Sequence, residues 1–146
     1  MSVDAVRHVG VVVRDAERSL PFYRDLLGLR VEADQLESGE FIETILATPG
    51  VRVRTIKLSA PGSPTLVELL EFGDAEGGAA APASLRRIGP THAALTVRDL
   101  DALHARLTAA GVRFLSDPRV SDDGRARVAF CSDPDGTPLE LVEPTG

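Results

Sequence analysis

His8-Val9-Gly10-Val11-Val12-Val13-Arg14-Asp15 decides the fold, because the chain writes this stretch twice. His92-Ala93-Ala94-Leu95-Thr96-Val97-Arg98-Asp99 has the same layout, with both the His and the Asp displaced by 84 residues. Residues 6–13 are apolar and rich in β-branched side chains, which predicts a strand. Alternation sets His8, Gly10 and Val12 on one face and Val9, Val11 and Val13 on the other. Asp15 then caps a predicted helix by accepting free amide protons of its first turn. Leu20, Tyr23 and Leu27 recur at helical spacing, and Phe22 and Leu26 widen the stripe. Gly28 suits the left-handed position that ends a helix. In the second copy Asp99 is the cap, Leu100, Leu103, Leu107 and Ala110 form the stripe, and Gly111 ends it.

The remainder of each half reads as strands. Residues 29–33 open a second strand, 34–39 read as a polar loop, and 41–47 read as a strand carrying Glu43. Residues 51–58 alternate, with Val53, Thr55 and Lys57 on one face and Arg52, Arg54 and Ile56 on the other. Pro61-Gly62-Ser63-Pro64 is a turn, and residues 66–72 form a strand with Glu68 inside it. After the second helix come a strand at 112–115, a hairpin turn at Asp122-Asp123-Gly124 and a strand at 125–132. The tight turn Asp133-Pro134-Asp135-Gly136 leads to a last strand at 138–143, with Glu140 inside it. Each half is therefore β-α-β-β-β, one spanning 5–72 and the other 91–144, within a single domain of residues 1–146. The small residues of Gly77-Gly78-Ala79-Ala80-Ala81-Pro82 mark a linker over 73–90.

Composition excludes several classes. A net charge of −6 lacks the basic face that a general nucleic-acid binder needs. No apolar run approaches the length of a membrane span. Met1-Ser2-Val3-Asp4 opens without a basic segment and an apolar run, so no signal peptide is expected. With one cysteine, Cys131, no intrachain disulfide forms, which fits a cytoplasmic protein.

Each half opens on a His and closes on a Glu inside an apolar strand. Leu66-Val67-Glu68-Leu69-Leu70 matches Pro138-Leu139-Glu140-Leu141-Val142. A lone His at a strand start is usually structural, and a lone Glu usually sits on a solvated face. Four such residues at repeated positions weaken that reading. A carboxylate in an apolar strand is costly without compensation, and a divalent cation compensates both. His8, Glu68, His92 and Glu140 form a mixed N and O set suited to Zn, Ni, Co, Fe or Mn. Glu71 and Glu143 fall on the opposite strand face. Cys131 reads as a buried thiol, His104 as an exposed helix residue, and Arg125 and Arg127 as surface. Arg52, Arg54 and Lys57 read either as a solvated strand or as holders of an anionic substrate group.

The chain resembles the vicinal oxygen chelate superfamily, which includes glyoxalase I, methylmalonyl-CoA epimerase, extradiol dioxygenases and fosfomycin and bleomycin resistance proteins. The resemblance rests on His8-Val9-Gly10-Val11, Ser19-Leu20-Pro21-Phe22-Tyr23-Arg24-Asp25-Leu26-Leu27-Gly28-Leu29, Val67-Glu68-Leu69, His92-Ala93-Ala94-Leu95, and Asp133-Pro134-Asp135-Gly136 leading to Leu139-Glu140-Leu141. It implies an α+β fold of paired βαβββ modules, a cupped and incomplete barrel around a metal. It implies His8, Glu68, His92 and Glu140 as ligands, and proton transfer next to a carbonyl through a metal-bound enolate. The substrate class so implied is a small carbonyl or thioester compound. Glu140 would be the base as well as a ligand, and Glu43 lies in a segment similar to the one that supplies a base in the epimerases. A homodimer is implied, because modules of two chains often complete the cup. Two alternatives remain open at this stage: an Fe(II) dioxygenase, which a fourth protein ligand at Glu68 would crowd, and a drug-binding resistance protein, which need not keep the four residues.

Overall fold

The computed structural model describes residues 2–78 and 83–146. The chain is of the α+β class and separates into two compact units, Met1–Gly77 and Gly78–Gly146, each built on an open four-stranded sheet. Part of the small-residue linker, residues 79–82, lies outside the described residues.

In the first unit β1 (His8–Val13) leads into α1 (Ala16–Leu20). Asp15 caps α1 by accepting from the Glu17 amide at 2.9 Å. The helix does not continue as the single α-helix its stripe predicts. It widens into a π-helical turn over Pro21–Leu26, with the Leu27 amide donating to the Phe22 carbonyl at 3.0 Å. Pro21 has no N–H to continue the α pattern, so the bonding shifts to a wider register. Gly28 follows with φ +77°, the left-handed conformation a β-carbon disfavours.

The chain then forms β2 (Arg30–Ser38), α2 (Glu40–Ile45), β3 (Arg52–Ser59) and β4 (Leu66–Phe72), in sheet order β1-β4-β3-β2. Two expectations are corrected here. Residues 34–38 are strand, not loop: β2 is the sheet edge, so a strand can carry polar side chains on both faces there. Residues 41–47 are not a strand. Gly39, at φ +101°, turns the chain into α2, and Ile42 packs on Val51 and Val53 beside Leu70 and Phe72. Glu43 is thus carried on a helix.

The second unit repeats the plan with β5 (Ala93–Thr96), α3 (Leu100–Ala109), β6 (Arg119–Val120), β7 (Ala126–Ser132) and β8 (Pro138–Pro144), in order β5-β8-β7-β6. The Asp99 side chain accepts from the Ala102 amide at 3.2 Å, and Gly111 has φ +88°. The strand expected at 112–115 reduces to one bridge, Phe114 to Cys131. Asp133 accepts from the amides of Asp135 and Thr137, both at 2.9 Å, which fixes the turn before β8.

One face of each sheet is covered by its helix. In the first unit Val11, Val13, Ile56, Leu58 and Leu69 are buried there with Ala16 and Leu20. Arg54 crosses from β3 to Glu17 at 2.7 Å, and Glu71 accepts from the Ala16 amide at 2.5 Å. In the second unit Ala129, Cys131, Leu139 and Leu141 are buried with Leu100 and Leu107, and Arg127 reaches Asp101 at 2.6 Å. The opposite face of the first sheet is covered in part by α2, through Ile42 on Val53, Leu70 and Phe72. No helix among the described residues is long and apolar enough to cross a membrane.

Candidate metal-ligand pairs

Register delivers the same pair in both units. β1 runs parallel to β4, with His8 opposite Leu66 and Gly10 opposite Glu68, so His8 and Glu68 share the face away from α1. β5 runs parallel to β8, with Ala94 opposite Glu140. His92, two residues before Ala94, therefore stands to Glu140 as His8 stands to Glu68. His8 Nε2 lies 3.7 Å from Glu68 Oε1, and His92 Nε2 lies 3.2 Å from Glu140 Oε2. Glu71 and Glu143 fall on the helix-covered faces, as alternation predicts.

The surroundings differ. Glu68 is buried, while Glu140 is half-buried. Among the described residues neither carboxylate is paired with an Arg or Lys, and the side chain each one meets is its own His. His92 is also held from behind, with its Nδ1 2.8 Å from Thr91 Oγ1 and its ring edge-on to Phe130 at 5.1 Å. An imidazole whose Nδ1–H donates to that hydroxyl would present Nε2 to a cation, the tautomer a metal ligand needs. These N and O donors fit a divalent transition metal. The structure brings the residues together as two pairs, and among the described residues no group of three or more His, Cys, Asp or Glu side chains is gathered for a cation.

The description Glyoxalase/Bleomycin resistance protein/Dioxygenase superfamily matches residues 5–141. The chain belongs to this superfamily. It is 28% identical over 144 residues to the uncharacterized protein YaeR of Escherichia coli, covering 98% of each chain. It is 29% identical to the lactoylglutathione lyase of Schizosaccharomyces pombe over 97% of its own length, and spans about half of that enzyme, 48%. Among solved structures, a glyoxalase family protein from Bacillus cereus has the same fold, with a TM-score of 0.88, 20% identity and coverage of 100% and 97% of the two chains. The superfamily contains enzymes acting on small molecules, and it shares the open sheets seen here.

The remaining candidates sort by face. Arg54 is committed to Asp34 and Glu17, and these bonds push its guanidinium pKa up and hold the Asp34 carboxyl below its ordinary range. Lys57 lies on the other face, directly opposite Glu68. Burial, with the Asp133 charge as a lesser cause, pushes the Cys131 thiol up to about 12, which removes it as a nucleophile. His104 packs edge-on to Phe114 at 4.4 Å, with Asp117 3.8 Å from its Nε2. Thr91 and Phe130 as supports of His92 do not come out of a reading of the chain in order, and Lys57, singled out there as a holder of an anionic group, gains its place beside Glu68 only from the strand register. The strand register sets Lys57 and Phe130 at equivalent places, opposite Glu68 and Glu140.

Proposed function

We propose that the chain is a metal-dependent enzyme of the glyoxalase and epimerase type, transferring a proton next to a carbonyl on a small carbonyl or thioester compound. The observation that supports this is the doubled His–Glu pair in one register, with neither carboxylate taken by an Arg or Lys among the described residues. In this reading His8, Glu68, His92 and Glu140 together hold one divalent cation, Zn, Ni, Co, Fe or Mn. The two pairs come from the units of one chain or of two chains in a homodimer. When bound, the cation supplies Lewis acidity toward the substrate oxygens.

The proton work belongs to the protein. Glu140, the more exposed carboxylate of the two, takes the α-proton and returns it. Glu43 is the second base, carried on α2, whose Ile42 packs on the same sheet face that carries Glu68. Two carboxylates addressing one carbon from opposite sides suit epimerisation. The reading places the enzyme in the cytoplasm.

The test is elemental analysis of the purified protein beside Glu68→Ala and Glu140→Ala, followed by exchange of substrate α-protons in deuterated water. About one transition metal per site, lost in both variants, is the expected result. Iron with oxygen consumption would transfer the chain to the dioxygenases. No metal under any loading condition would sink the enzyme reading and leave a small-molecule binder.

A further inference from the structure

Lys57 is the charged residue beside Glu68 that the proton-transfer reading leaves without a task. It stands directly opposite Glu68 in the β3–β4 register and shares its face with His8. Cross-strand neighbours at such places have β-carbons about 4.5–5.5 Å apart, so a lysine reaches its neighbour's carboxylate with ease. Here it does not. The Glu68 carboxylate turns to His8, and Lys57 makes no ion pair or hydrogen bond among the described residues. Its other cross-strand neighbour is Ala33, so β2 offers no counter-charge at that position.

Two comparisons mark this lysine as something other than scaffold. On the same strand Arg54 is fully committed, with bonds to Asp34 and Glu17 between 2.7 and 2.9 Å. In the second unit the place equivalent to Lys57 holds Phe130, opposite Glu140 and packed against His92. A Glu at this position of the sheet therefore does not require a lysine beside it. Lys57 is also half-buried.

We infer that Lys57 is an anion subsite and that the substrate is a small carbonyl compound bearing a carboxylate close to its reacting carbon. The ammonium takes the carboxylate by a charge-assisted hydrogen bond while the carbonyl lies toward the His–Glu pair. This inference rests on the proton-transfer reading for its carbonyl, and on Lys57 alone for its charge.

Pyruvate and butane-2,3-dione test it. They have nearly the same shape and differ in a carboxylate oxygen against a methyl group. Each is titrated into wild-type protein, Lys57→Met and Lys57→Arg, with binding followed by ligand-observed NMR and metal content measured in parallel. The wild type is expected to prefer pyruvate. Lys57→Met should lose about tenfold or more in pyruvate affinity and leave the dione unchanged, while Lys57→Arg keeps most of the preference. A wild type without the preference, or a Lys57→Met variant that keeps it, overturns the inference. Loss of both probes together with the metal also overturns it, because Lys57 would then serve only to neutralise Glu68. Absence of metal in the wild type, with the pyruvate preference still dependent on Lys57, would sink the enzyme reading and leave the anion subsite standing.

Discussion

The two units share a skeleton and differ in what surrounds the same two side chains. In each, an Arg on the third strand ties the sheet to the first turn of the helix, Arg54 to Glu17 and Arg127 to Asp101. In each, a His and a Glu meet on the face away from that helix. Around that pair the copies part. The second unit places Thr91 behind the imidazole and Phe130 beside it. The first unit has Arg7 where the second has Thr91, and Lys57 where it has Phe130. Residues that hold the sheet and helix together are repeated, and residues that face the open side have diverged. The first unit keeps charge there, and the second keeps packing and a fixed imidazole.

If the skeletons are equivalent, equal damage should cost the same in each. Leu69 on β4 and Leu141 on β8 are the matched, fully buried residues of the two inner strands. Leu69→Ala and Leu141→Ala are each expected to cost about 2–5 kcal/mol, through lost transfer energy and the cavity left behind. The two values should agree within about 2 kcal/mol, the spread that such substitutions show among core sites of the same chemistry. Urea-unfolding midpoints check this. A much larger cost in one unit would break the equivalence and show that one core can collapse around the gap.

Most of this skeleton was legible because the repeat supplied two readings of one plan. Strand 66–72, both helix caps and both helix-ending glycines followed from local chemistry. The segment 34–47 did not. Its polar half is an edge strand, where solvent on both sides erases the apolar alternation that marks a strand. Its apolar half places Phe41, Ile42, Ile45 and Leu46 at helical spacing, which the strand reading of 41–47 passes over. The pairing of His8 with Glu68 and of His92 with Glu140 was suggested by matched positions, whereas their supports were not. Thr91 acts through one side-chain bond to its neighbour, and Phe130 and Lys57 act across strands, so neither carries a local pattern.

The contrast behind the two imidazoles gives a smaller effect. Thr91→Val removes the hydroxyl at His92 Nδ1 while nearly keeping the side chain's shape. Loss of such a supporting bond costs about 10–100-fold in metal affinity in other sites, and a value near tenfold is expected here. Thr91→Ser should restore it. Arg7→Ala, at the matching place of the first unit, should leave affinity unchanged. Competition with a chelating dye measures all three without reference to turnover. Equal weakening by Arg7→Ala would mean that the first imidazole also depends on the residue before it.

The smallest effect separates the two cores by their response to alkali. Leu58 and Cys131 hold matched, fully buried places, each beside the strand that carries the Glu. Only the second can titrate. Burial raises the Cys131 thiol from 9.0 to about 12, so the folded state holds its proton where an unfolded chain releases it. Below about pH 9 both states are protonated and this residue adds no pH dependence. Between pH 9 and 12 the unfolded state alone gains from ionisation, so stability falls as pH rises. By pH 10 the loss from this residue is about 1 kcal/mol. Cys131→Val should flatten that part of the profile, read as the difference in urea midpoint between pH 8 and pH 10 for variant and wild type. The arginines and lysines are common to both proteins, so their titration cancels in the comparison. An unchanged slope would mean that the thiol is open to water in the folded state, and the second core would then be looser at this position than the first is at Leu58.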